Sequence, residues 1–353
     1  VPIRNPVRNP VTQLGHGGPA VPIDPFFNYY PDAIGSYSLR RLRFNYFGPA
    51  IQVRNITGQH MNIEFTATHE LDITALLDFS LGRRVFVAVW YDQSENAPSM
   101  NFGQSFGIKQ PYIVDDTGSL ITTASGKPSI HFEPVFPGVN PLGNRYLEVS
   151  NNPQLFNHSN FVAYFHLGDP TTVSLTSGQS SRGGVMCMGR HYFSLPRNLN
   201  VDAENDRAMA LFHHWDVYGG LAVHKNTNAM AFEGPGLNIM DVAGDHVVGW
   251  SHIQWTLGPL WKMHLYQLAP TSDTVVDHTI SWQSRRPGEA YQIRPGVIRI
   301  GNRFVGGGFP DTLDRRGNPA LIDFKMSELV MFPEFPYGDQ TAQVTSRISY
   351  WRN

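Results

Sequence analysis

Between Ser36 and Phe132 the chain reads Tyr37-Ser-Leu-Arg-Arg-Leu-Arg43, Gly48-Pro-Ala-Ile-Gln-Val-Arg54, Leu71-Asp-Ile-Thr-Ala-Leu-Leu77 and Val87-Ala-Val-Trp-Tyr-Asp-Gln-Ser94. Gln110-Pro-Tyr-Ile-Val114 and Gly126-Lys-Pro-Ser-Ile-His-Phe132 complete the series. Arg84-Val-Phe-Val-Ala-Val-Trp90 is a short apolar run rich in β-branched and aromatic residues, the pattern of a buried strand. Residues 71–79 break that pattern. Leu71, Ala75 and Leu76 recur at helical spacing, with Asp72 and Thr74 near the start of the turn.

Taken in order, these blocks resemble the opening of the concanavalin A-like β-sandwich of glycoside hydrolase family 54, the fungal arabinofuranosidase B family. Related segments recur in bacterial and phage surface proteins. The resemblance implies an all-β, jelly-roll sandwich, and it leaves function open, because one sandwich can cleave a glycan, hold it or decorate a particle.

Later segments continue the β pattern. Phe161-Val-Ala-Tyr-Phe-His-Leu167, Gly184-Val-Met-Cys-Met188, Met209-Ala-Leu-Phe212 and Gly220-Leu-Ala-Val223 read as strands. So do 247–255, 261–268, 297–300 and 322–332, with turn signals such as Gly234-Pro-Gly236 and Gly306-Gly-Gly308 between runs. In the last segment, Val344, Ile348 and Trp351 share one helical face and Asp339 stands where a cap would sit, so a short C-terminal helix is expected. Residues 1–35 differ: Arg4-Asn-Pro6 and Arg8-Asn-Pro10 repeat, and Pro19, Pro22, Pro25 and Pro31 follow. Proline fixes φ and restricts the preceding residue, so this stretch reads as an extended arm. The expected organisation is an arm over 1–35 and a sandwich over 36–353, within which 135–295 aligns with no recognised pattern and has room for an insertion.

Composition narrows the function classes. Among 353 residues, 41% hydrophobic content supports a large core, and Gly 33 with Pro 26 suits many short strands joined by turns. A net charge of -2 gives no basic footprint for nucleic acid or an anionic membrane surface. No apolar run reaches the roughly 18 residues of a membrane-spanning helix. The single Cys187 excludes an internal disulfide and argues for assembly in a reducing compartment.

Glycoside hydrolysis uses two carboxylates about 5–9 Å apart. The family resembled here carries adjacent cysteines before a nucleophilic Glu, and an acid/base Asp near its end. This chain has no adjacent cysteines, no Asp or Glu from Pro170 through Val201, and Asn302 in Ile300-Gly-Asn-Arg303 where the family's carboxylate would stand. No catalytic residue is therefore assigned. No metal or cofactor is expected either. His213 and His214 are adjacent and on a strand would point to opposite faces. Asp311-Thr-Leu-Asp314 with Gly317, and Asp241 with Asp245, lack calcium-loop spacing.

Trp90-Tyr91-Asp92-Gln93-Ser94 reads as structural, since Asp92 and Ser94 can bond backbone groups in the turn after a buried strand. Aromatics remain as the binding resource. Trp215, Tyr218, Trp250, Trp255 and Trp282 are candidates for stacking on sugar rings, against the alternative that they fill the core. In the arm, Arg4, Arg8, Phe26, Phe27, Tyr29 and Tyr30 are candidates for gripping a neighbour, either another copy of the chain or another virion protein. The expected function is a non-enzymatic virion structural or surface protein, of the capsid-decoration or fibre type, with a face for host-surface glycan. The alternatives are a secreted, extracellular carbohydrate-binding protein and a diverged arabinofuranosidase.

Overall fold

The computed structural model describes residues 33–95, 100–135, 143–150, 161–172, 182–189, 208–214, 220–226, 244–254, 260–268, 276–283, 297–301, 322–332 and 348–351. The first strands are β1 (Gly35–Ser38), β2 (Ile51–Asn55), β3 (His60–Ile63), β4 (Val85–Trp90), β5 (Phe102–Gly103), β6 (Tyr112–Val114) and β7 (Ile130–Phe132). A helix, α1 (Ile73–Ser80), lies between β3 and β4, and β8 (Pro134–Val135) pairs with β9 (Gly143–Asn144) in a separate two-stranded ladder. Next come β10 (Leu147–Ser150), β11 (Phe161–Thr172), β12 (Arg182–Gly189), β13 (Ala208–His214) and β14 (Gly220–Asn226). The series ends with β15 (Asp245–Gln254), β16 (Leu260–Leu268), β17 (Val276–Gln283), β18 (Val297–Ile300), β19 (Ile322–Met326) and β20 (Glu328–Phe332).

All pairings are antiparallel and resolve into two ladders. One runs β3–β2–β4–β5–β10–β18–β12–β13–β14. The other runs β1–β20–β11–β15–β16–β17, with β19 also on β11 and β7 on β19. Strand β6 pairs with both β4 and β7 and so links the ladders at one corner.

Strand alternation explains the core. In β2, Ile51, Val53 and Asn55 are buried while Gln52 and Arg54 are half-buried on the opposite face. Side chains from both ladders form one cluster. Phe132 of β7 stacks on Phe324 of β19 at 4.9 Å, and Tyr37 of β1 packs edge-on against Phe102 of β5 at 4.7 Å. Burying such a ring contributes roughly 1.5–3 kcal/mol. Helix α1 begins where Asp72 accepts a bond from the Ala75 amide at 3.0 Å, and ends at Leu81 with φ 51°.

The alternating run 322–332 is two strands. Ser327 interrupts it: its hydroxyl donates to the Pro128 carbonyl at 3.0 Å, while its own carbonyl accepts from the Leu39 amide at 3.1 Å. All of β20 is buried. There Glu328, fully buried, accepts from Ser38 Oγ (2.8 Å), Arg40 Nε (3.0 Å) and Trp351 Nε1 (2.8 Å), which pins the C-terminal turn Ser349–Trp351 to the sandwich. The expected C-terminal helix, from Asp339 on, lies outside the described residues through residue 347, and its described end carries the single turn Ser349–Trp351; the arm through residue 32 also lies outside the described residues.

Candidate functional site

One row of positions in the first ladder runs in register across neighbouring strands. Asn62 faces Gln52, Gln52 faces Val89, Val89 faces Gly103, Gly103 faces Glu148, and Glu148 faces Arg299. Within this row Gly103 supplies no side chain. A Cβ there would meet only the Ala88 carbonyl oxygen at 3.8 Å, so glycine leaves a gap that any side chain would fill. Over that gap lies an open cleft of about 850 Å³, lined by Gln52, Arg54, His60, Gln104, Phe106, Gln110, Tyr146 and Glu148 among others. The volume is in the range of small-ligand sites.

One wall is the 104–110 turn. Gln110 Nε2 donates to the Gln104 carbonyl at 2.7 Å, and Gln104 Oε1 accepts from the Phe106 amide at 2.9 Å. These bonds hold the Phe106 ring out at 67% exposure on the cleft's rim. Gln104 itself is only 7% exposed, and its Nε2 has no hydrogen-bond partner. The floor carries Arg54. Its Nε donates to Gln110 Oε1 at 2.7 Å, its Nη2 to the Gly107 carbonyl at 3.0 Å and its Nη1 to the Asn55 carbonyl at 3.2 Å. Burial, and then the nearby charge of Arg145, holds the guanidinium below its ordinary pKa.

The opposite wall is Glu148. Arg299 donates from Nη2 (2.8 Å) and Nε (3.1 Å), both to Glu148 Oε2, and lies over the Tyr146 ring at 4.3 Å. Glu148 is the cleft's one carboxylate among the described residues that line it.

The sequence-predicted aromatics do not assemble this cleft. Trp215, Tyr218 and Trp255 lie outside the described residues. Trp250 stands on β15 opposite Ala163 and Leu265, and Trp282 stands on β17 opposite Trp261, both in the other ladder. The arm residues Arg4, Arg8, Phe26, Phe27, Tyr29 and Tyr30, and also Asn302, lie outside the described residues.

The Trp90–Ser94 motif joins the end of β4 to β1. Asp92 Oδ1 accepts from the Ser36 amide (2.9 Å) and the Ser94 amide (2.8 Å), and Oδ2 accepts from Ser94 Oγ (2.8 Å). Gln93 Oε1 accepts from the Leu42 amide at 2.8 Å, while its Nε2 donates to the carbonyls of Ser38 and Arg40. Tyr91 reaches outward instead, donating to Asn62 Oδ1 at 3.1 Å. Asp245 is buried in the core, where Oδ1 meets His166 Nε2 at 3.0 Å and Oδ2 accepts from the Ala124 amide at 2.5 Å. Among the described residues, no three His, Cys, Asp or Glu side chains converge on a common point.

What sequence reading missed is the cleft itself. Alternation in Ile51-Gln-Val-Arg54 turns Gln52 and Arg54 outward, yet only the pairing of strands distant in sequence sets Gly103 and Glu148 beside them.

Ladders closing on one core, joined at a corner by β6, define a concanavalin A-like β-sandwich. No protein-family model matches the chain, and no curated protein matches its sequence. Its fold is similar to that of a point mutant of a family 54 α-L-arabinofuranosidase soaked with 4-nitrophenyl α-L-arabinofuranoside, with TM-score 0.58 and 14% identity over 93% of this chain. It is similar also to an arabinofuranosidase complexed with arabinofuranosyl-α-1,2-xylobiose, with TM-score 0.57 and 14% identity over 93% of this chain. The match covers 65% of each of those chains. The likeness is one of fold: this chain is a concanavalin A-like sandwich resembling glycoside hydrolase family 54.

Proposed function

We propose that the protein binds carbohydrate without cleaving it, and that the glycan lies in the cleft over Gly103. The observation carrying this reading is the cleft's make-up: an aromatic ring presented at its rim by Phe106, amides and a guanidinium within it, and a glycine gap in its floor. Sugar rings offer apolar C–H faces to an aromatic and hydroxyls to amides and charged groups, so this combination matches both. Hydrolysis needs two opposed carboxylates. The single described carboxylate of the lining, Glu148, has one oxygen committed to Arg299, which favours holding a glycan over cutting it. The structures similar in fold include one with an arabinofuranosyl xylobiose and one soaked with an arabinofuranoside, which supports the sugar reading.

A glycan array followed by calorimetry on the full chain tests the proposal. Phe106→Ala should weaken binding by about 2–10-fold, the range of an aromatic contact worth roughly 0.5–1.5 kcal/mol. Failure of plant, microbial and animal glycans alike to bind would overturn it. For location, we propose the surface of a virion, with a secreted free-standing binder as the competing placement. The support is sequence alone: the proline-rich arm, and the resemblance to segments of phage surface proteins.

A further inference from the structure

The charge inside the cleft narrows the kind of glycan. Along the same side of the sheet, Arg145 meets Glu133 at 3.1 Å, Arg84 meets Glu133 at 2.9 Å and Asp116 at 2.6 Å, and Arg299 meets Glu148 at 2.8 Å. Arg54 differs. Its bonds go to an amide oxygen and two carbonyls, and no carboxylate of a described residue lies within ion-pair reach. Neutral acceptors orient a guanidinium without cancelling its charge. The ring of Phe86 sits 4.5 Å beneath, fixing the plane of the group further. A partly desolvated cation held rigid and left without a counter-ion favours an anion arriving from outside.

The 104–110 turn holds Arg54 in place. Gln110 bonds both the Arg54 guanidinium and the Gln104 carbonyl, so one side chain ties the cation to the turn that carries Phe106. Glu148 does not reverse this balance, because Arg299 neutralises it.

On the reading that the cleft holds a glycan, we propose that the glycan is acidic, and that Arg54 receives the carboxylate of a uronic acid. Three of the guanidinium's N–H donors are already used within the protein, and the rest are available to the ligand's oxygens.

The test is calorimetry on the full chain with galacturonate, glucuronate and mannuronate oligosaccharides, each beside its carboxyl-reduced counterpart, and with arabinofuranosyl xylobiose as a neutral control. The expected result is at least one uronic-acid oligosaccharide binding about tenfold or more tightly than its reduced form, weakening as salt rises. Arg54→Gln should erase that preference, and Arg54→Lys should keep part of it. Equal affinity for acid and reduced forms, both blocked by Gly103→Leu, would leave the glycan site standing and overturn its acidic selectivity. An acid preference that survives Arg54→Gln would overturn the assignment to Arg54. Absence of binding by every uronic-acid oligosaccharide would overturn the acidic assignment, and absence of binding across the whole glycan array as well would overturn the glycan reading itself.

Discussion

Replacing Asp92 with alanine asks whether the Trp90–Ser94 motif is a fastener or a ligand group. The carboxylate is 1% exposed and accepts bonds from two backbone amides, those of Ser36 and Ser94, themselves buried. Truncation strips both donors at once. A buried donor left unsatisfied costs about 1–3 kcal/mol. Removing the carboxylate also relieves its own burial, the leading cause of a pKa raised above the ordinary carboxylate value, and this offsets part of the loss. The net expectation is a destabilisation of about 2–4 kcal/mol. For a chain of 353 residues, at about 2 °C per kcal/mol, that lowers the melting temperature by about 4–8 °C.

Asp92→Asn separates charge from hydrogen bonding. Its Oδ1 can still accept from both amides, and Ser94 Oγ can rotate to accept from the new Nδ2, so the expected cost is below about 1 kcal/mol. The pH dependence follows from the raised pKa. The folded protein holds the Asp92 proton more tightly than the unfolded chain does, so stability is greatest with the group protonated. It declines as pH rises from the ordinary carboxylate range through the raised folded value, then levels off. Asp92→Asn should remove that decline. Differential scanning fluorimetry across pH, with glycan binding measured in parallel, reads both effects. An unchanged melting temperature for Asp92→Ala together with lost glycan binding would refute the fastening role.

Gly103→Leu should abolish or sharply weaken glycan binding while shifting the melting temperature by no more than about 2 °C, because its Cβ meets only the Ala88 carbonyl oxygen, at ordinary contact distance; undiminished affinity would move the site elsewhere. Tyr350 is pushed up to about 12, first by burial and then by its bond to Glu70, so the neutral phenol's stabilisation is complete below about pH 10 and is lost as pH rises through about 12. Tyr350→Phe should flatten that segment of an alkaline unfolding curve, and an unaltered slope would show that another group titrates there. Deleting residues 1–30 should leave a folded, monomeric sandwich unable to assemble or attach; normal incorporation into particles would make the arm a passive tail.

The fold was legible because its evidence is local. Val85–Trp90 is apolar and β-branched whatever it pairs with, and Asp72 caps the first turn of α1 through a residue only three positions away. Ser327 shows where local reading fails. The run 322–332 reads as one strand, its alternation faltering only at Ser327-Glu328, and what divides it is a set of bonds to Pro128, Ser129 and Leu39, more than a hundred positions distant. Tertiary partners override the pattern there.

The cleft is wholly of the second kind. Gln52, Gly103, Glu148 and Arg299 carry no shared motif, and they form one row only because β2, β4, β5, β10 and β18 adjoin in that order. A shift of one residue in any pairing would turn its side chain to the core face and dissolve the row. The tryptophans drew attention in the sequence because large aromatics are conspicuous, yet the exposed ring at the rim of the cleft is Phe106, in a turn between short elements with no periodicity to mark it. Arg54 is the sharper case. In sequence it is one of the outward residues of an alternating strand, like many others. That no carboxylate of a described residue pairs with it appears only once its neighbours Arg84, Arg145 and Arg299 are seen each to have one. Charge that the fold leaves unbalanced is invisible to composition, since a chain with net charge -2 can still hold, among its described residues, a cation with no carboxylate partner in an open cleft.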